Sequence, residues 1–159
     1  MDSNPLYLHL MLGHVPVIGT AGVALLLAWG LLRHSADVTR VGLALTAAVA
    51  VVTIAVYLTG NPAARQLRDV DPTLDRHLVH EHEALARAGF IAVLTTGAAA
   101  LAALWIERNT GPVAGPLPSM VLVALLVCFG LFVRAALTGS QIRHPELRPP
   151  IGVMAEPRS

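Results

Sequence analysis

The sequence predicts an all-α fold: a bundle of four transmembrane helices in antiparallel, up-and-down order. Three observations carry that expectation. Of 159 residues, 55% are hydrophobic and only 13% charged, with a mean hydropathy of +0.64, too apolar for the surface of a soluble domain this size. The apolar residues fall into four long blocks, each near the roughly 20 residues that cross a bilayer. The connections between blocks are polar or rich in Gly and Pro, and the first is short enough to make its flanking helices antiparallel neighbours.

The predicted helices run over about residues 6–33, 38–58, 80–107 and 117–141, in a single domain 1–144. With no separate soluble module, any function sits in or at the membrane. The N-terminus lacks a basic region and its apolar stretch is too long for a signal-peptide core, so it reads as a retained helix. Pro5 suits a first helical turn, capped by Ser3 or Asn4. Pro16 removes a backbone bond inside the first helix and predicts a kink one turn beyond His14. In the second helix Gly42, Thr46, Ala50, Thr53, Tyr57 and Gly60 recur at helical spacing. That stripe should face the bundle, where small residues allow close approach and hydroxyls bond across helices. The polar stretch 59–79 contains Asn61-Pro62 and Asp71-Pro72, each resembling a cap followed by a first-turn proline. A short interfacial helix near 62–68 is expected, with a second start at Pro72 that runs into the third helix. Residues 111–118 form the turn at the opposite end. The Pro-rich tail, 145–159, should be extended or mobile.

Charge and motif content exclude several classes. Eleven arginines, no lysine and ten acids leave a net charge of +1, which argues against nucleic-acid binding. Cys128, the single cysteine, reads as a small apolar filler. There is no Cys-x-x-Cys-His, thiolate cluster, dinucleotide fingerprint, P-loop or nucleophile elbow. A lone catalytic activity is therefore not expected.

Six of the seven histidines fall at one end of the predicted bundle: His9, His14, His77, His80, His82 and His144, with His34 at the other. Imidazoles at a membrane boundary cost desolvation, and a set converging from three helices implies a shared ligand such as haem iron. At about 100° and 1.5 Å per residue, His9 and His14 lie about 140° apart and about 7.5 Å along the axis. They are poorly placed to bind one ion together. They suit two sites, or His14 binds while His9 bonds an outer group; the plainer reading makes both interfacial polar residues. His80 and His82 point about 200° apart. His82 shares a face with Ala86, Gly89, Val93, Thr96 and Ala100, a groove of small side chains suited to a close helix or a flat macrocycle. His80 shares the face of Ala84, Arg87, Ile91 and Leu94, which suits headgroups and lipid. His77 reads as a solvated loop residue. Glu83 suits orienting an imidazole, or is a plain carboxylate in the first turn. His144 closes the fourth helix or opens the tail. The ligand candidates are thus His9, His14, His82 and His144, and His14 with His82 is the expected axial pair. Arg87, Arg134 and Arg143 are candidate partners for haem propionates, Arg134 alternatively snorkelling.

The chain resembles a family of uncharacterised bacterial four-helix membrane proteins thought to bind haem b. The matching pieces are Leu8-His9-Leu-Met-Leu-Gly-His14-Val-Pro16, Tyr57-Leu-Thr-Gly60-Asn-Pro62, His82-Glu83-Ala and Gly139-Ser-Gln-Ile-Arg-His144-Pro-Glu. The family has Asn where Gly13 stands and a second Gly where Ser140 stands, departures that remove no ligand. The resemblance implies that His9, His14, His82 and His144 form the retained set.

The expected function is haem-b-linked electron transfer, with one or two haems, as a subunit of a larger redox complex in a bacterial inner membrane. Other membrane subunits, the lipid bilayer and quinone are its expected partners. Eight arginines at the histidine end against three at the other favour a cytoplasmic histidine side. Three alternatives stay open: a structural accessory subunit of a respiratory or photosynthetic complex, a chlorin-binding version, and a histidine-based zinc or copper site.

Overall fold

The computed structural model describes residues 5–70, 75–111 and 116–147. Five helices and one 3₁₀ turn form the fold: α1 Pro5–Leu12, α2 His14–Leu32, α3 Ala36–Val70, α4 Arg76–Thr110, α5 Leu117–Arg143, and the 3₁₀ turn Pro145–Leu147. Among the described residues there is no strand. Among the described residues four spans are long and apolar enough to cross a membrane: His9–Leu32, Ala36–Leu67, Arg76–Thr110 and Leu117–Ile142. The chain is a multi-pass membrane protein. The expected caps at Ser3 or Asn4, the helix start at Pro72 and the tail beyond Leu147 lie outside the described residues.

α2, α3, α4 and α5 pack as a ring of neighbours, α5 closing back on α2. Paired residues run in opposite senses along each contact. An added Cβ at Gly42 would lie 3.1 Å from Leu27, and one at Gly19 3.1 Å from Val49. Tyr57 stacks on Phe90 while Arg40 pairs with Glu107 at 2.9 Å. His82 bonds the Ala135 carbonyl while Thr96 meets Cys128. The order is therefore up and down.

The predicted stripe of α3 does face inward: Gly42, Thr46, Ala50 and Thr53 are buried. The closest approach is at Gly97 of α4, where an added Cβ would stand 2.6 Å from the Ala50 Cβ. The stripe's threonines, Thr46 and Thr53, show no bond across helices, whereas Thr96 of α4 meets Cys128 of α5 at 3.6 Å. Thr20, Thr46, Thr53, Thr96 and Thr138 each donate to the carbonyl four residues earlier in their own helix. The hydroxyl proton is thus satisfied locally, leaving only small bulk at the helix contact.

Two boundaries differ from expectation. α3 continues through Pro62 to Val70 as one helix of 35 residues, about 52 Å long. Pro62 is exposed, so the carbonyl whose donor it removes is near water and costs little. There is no separate interfacial helix. The first span is interrupted at Gly13, before His14 rather than beyond it, although Gly13 keeps helical dihedrals and its bond to the His9 carbonyl at 2.8 Å. Pro16 has no N–H, and its ring crowds the carbonyl four residues back, that of Leu12, so the discontinuity falls one turn before the proline.

The ends of the bundle can be placed from its tryptophans. Trp29 and Trp105 are exposed near the α2–α3 turn and the end of α4, as in an interfacial aromatic belt. A hydrocarbon core of about 30 Å measured from there reaches the level of His9 and His82. α3 and α4 overhang that level.

Candidate functional site

The sequence places its histidines so that the break at Gly13 matters. α1 leans on α3 and makes no close backbone contact with α4 or α5 among the described residues. The space so left is a cavity of about 550 Å³, within the usual range for cofactor sites. Four of its lining side chains are His9, His14, His82 and His144. The stacked pair Tyr57 and Phe90, with centroids 4.1 Å apart and planes within 4°, also lines it.

Each of these imidazoles is tied at Nδ1. His82 Nδ1 lies 2.8 Å from the Ala135 carbonyl of α5. A carbonyl only accepts, so Nδ1 carries the proton and Nε2 is the bare nitrogen. His14 Nδ1 does the same with the Leu10 carbonyl at 3.2 Å. His144 Nδ1 donates to Glu146 at 3.0 Å, which leaves the same Nε2 face bare. His9 Nδ1 lies 3.0 Å from Thr59 Oγ1, and that hydroxyl donates to the Val56 carbonyl at 2.7 Å. Metal-ligating histidines characteristically donate one ring N–H to an oxygen and present the other nitrogen.

The four differ in setting. His9 and His82 are half-buried and both line the cavity. His14 and His144 are exposed at its rim. His14, which spacing favoured as the partner of His82, is thus the more exposed of the two histidines of the first span. Among the described residues no three His, Cys, Asp or Glu side chains converge to hold a bare metal ion. The four histidines line one cavity without forming one ion site.

Other expected residues sort as follows. Arg87 and Glu83 line the cavity, Glu83 also lying 3.7 Å from His80. Arg134 does not: it is exposed on the outer face of α5, one residue from the inward Ala135. Its level is that of His82, at the interface, where a long side chain reaches headgroups without a buried partner. Arg143 is the last residue of α5, and its side chain is outside the described set. His77 is helical, in the first turn of α4, where Asp75 caps its backbone N–H at 2.9 Å; it is exposed. His80 is exposed as expected. Gly89 and Val93 offer no room for a ring. Phe132 fills that groove, 2.8 Å from an added Cβ at Gly89, and Val93 is fully buried. Cys128 is buried filler beside Thr96.

Sequence reasoning missed Thr59 as the anchor of His9, and the Ala135 carbonyl as that of His82. Thr59 stands in the Thr-Gly-Asn-Pro run just off the small-residue stripe. A main-chain anchor leaves no trace in side-chain identity. Comparison with family models, curated proteins and solved structures finds no match to this chain.

Proposed function

We propose that this chain is a membrane haem-b protein that passes electrons as one subunit of a larger redox assembly, with His9 and His82 as axial ligands. One observation carries the reading: two half-buried imidazoles, on helices separated by a cavity of cofactor size, each with Nδ1–H tied and Nε2 bare. Bound there, haem would supply a one-electron couple whose potential its ligands and surroundings set. The chain's own residues orient the rings through Thr59 and Ala135, close the inner end with Tyr57 and Phe90, and offer Arg87 as a propionate partner. His14 and His144, exposed at the rim, make one haem the simpler count. The site's depth, at the headgroup level, suits exchange with a quinone or a partner subunit.

The optical spectrum of protein purified from a haem-sufficient bacterial membrane tests this. A Soret band with sharp reduced bands is expected. His9→Ala and His82→Ala should turn a low-spin spectrum high-spin or abolish haem retention, whereas His77→Ala should do neither. A colourless wild type that stays colourless on haemin addition refutes the reading and leaves the structural-subunit alternative. The arginine bias supports a cytoplasmic histidine side in a bacterial inner membrane. Labelling of a cysteine introduced at Arg65 by an impermeant reagent in intact cells would overturn that orientation.

A further inference from the structure

The two half-buried imidazoles are held by different kinds of acceptor. His82 rests on a main-chain carbonyl, which no substitution at Ala135 can remove and which accepts only. His9 rests on a hydroxyl, which both donates and accepts. A hydroxyl by itself imposes no tautomer, because it suits a protonated or a bare Nδ1 equally. Here it does, since Thr59 has one proton and donates it to the Val56 carbonyl, 2.7 Å away and three residues back in α3. What remains toward His9 is lone-pair density. We infer that Thr59 is a positioning residue that locks His9 in its Nδ1–H tautomer, and so sets the direction in which this imidazole offers Nε2 to a ligand.

The local sequence makes the lock possible. α1 packs on α3, which puts His9 beside Thr59, 50 positions apart in sequence. The ring passes Gly60 at a distance that even a Cβ would tolerate, 3.5 Å from His9 Cε1. The Thr59 methyl and hydroxyl stay fixed because a β-branched side chain in a helix has few rotamers, and the bond to Val56 selects among them.

The inference deepens the haem reading, on which only its second readout rests. The first needs no cofactor. Long-range nitrogen–proton NMR correlations on histidine-labelled apoprotein in nanodiscs report which ring nitrogen carries the proton, and His9→Asn identifies the His9 signal. Wild type and Thr59→Ser should show the Nδ1–H form. Thr59→Val, nearly isosteric and lacking the hydroxyl, should shift His9 toward Nε2–H, the form a free imidazole prefers. In haem-loaded protein the same Val variant should lose about 10–100-fold in haem affinity and raise the midpoint potential, because an untethered imidazole is the weaker donor. Thr59→Ser should restore both. Retention of the Nδ1–H form in Thr59→Val, or an Nε2–H form in wild type, overturns the inference. A wild type that never binds haem overturns the haem reading while the tautomer result still stands or falls alone.

Discussion

Gly139→Ala separates the support of the site from the support of the fold. Gly139 lies on α5 one turn beyond Ala135, against the His82 ring. An added Cβ would lie 3.2 Å from both Cε1 and Nδ1 of His82, so the ring must move by a few tenths of an ångström. Because the clash includes Nδ1 itself, that shift disturbs the 2.8 Å bond to the Ala135 carbonyl. A hydrogen bond of this kind contributes about 0.5–1.5 kcal/mol net, so weakening it costs roughly 2- to 10-fold in the population of the ligating orientation. Loss of such an outer-shell bond lowers metal affinity by about 10–100-fold, and a drop of about 10-fold is expected here. The helix itself gains, because Ala replaces Gly in its interior, by about 0.5–1 kcal/mol. Thermal stability of the apoprotein should hold or rise while haem affinity falls. Gly60→Ala is the control: its Cβ would meet His9 Cε1 at 3.5 Å, and haem affinity should stay within about twofold of wild type. Haemin titration of detergent-solubilised apoprotein, followed by absorbance, reads both. The reasoning fails if Gly139→Ala binds haem as wild type does, or if Gly60→Ala loses more than Gly139→Ala.

Three further outcomes follow from the same structure. Arg134→Leu should leave the haem-to-protein ratio unchanged, since Arg134 lies outside the cavity; a cofactor-depleted variant would return it to the site. Gly97→Ala should destabilise the α3–α4 contact by about 1–3 kcal/mol, read as a lower unfolding midpoint in detergent, because the new methyl meets Ala50 at 2.6 Å; an unchanged midpoint counts against the packing described. At Glu146 the residue's own backbone N–H, then His144, holds the carboxyl below its ordinary value. The 3₁₀ contact should therefore persist through the usual carboxylate range and be lost only as pH falls through the lowered value, and carbon-detected NMR titration showing an ordinary Glu146 midpoint would refute it.

The parts of this fold that follow from periodicity were legible in the sequence. Gly42, Thr46, Ala50 and Thr53 recur at helical spacing and are buried, and the His82 face is buried from Gly89 to Ala100. What spacing cannot supply is the partner. Gly89 looks like a groove along α4 alone, but Phe132 of α5 fills it. Asn61-Pro62 has the chemistry of a helix start, yet α3 runs through it because its surroundings there let an orphaned carbonyl meet water. Arg134 looked deep when counted from the end of its helix, and it is interfacial because α5 overhangs the bilayer. His9 and His14 differ because His9 meets Thr59 of α3, a partner that spacing within one helix does not reveal.

The same logic explains why a site exists at all in a bundle so closely packed. Over most of its length, glycines and alanines bring the helices together until no room for a ligand remains, as at Gly97 against Ala50 and at Gly42 against Leu27. At the histidine end Pro16 leaves the Leu12 carbonyl without its helical donor, and α1 packs on α3 without close backbone contact with α4 or α5 among the described residues, which leaves the cavity lined by His9. The last turns of α3 and the first of α4 bring Ala63, Leu67 and Val79 to the same cavity, so its lining there is apolar. On the proposed reading, a flat, largely apolar ligand with an acidic edge toward Arg87 would meet this lining and take Nε2 from His9 and His82 alone, leaving His14 and His144 at the rim.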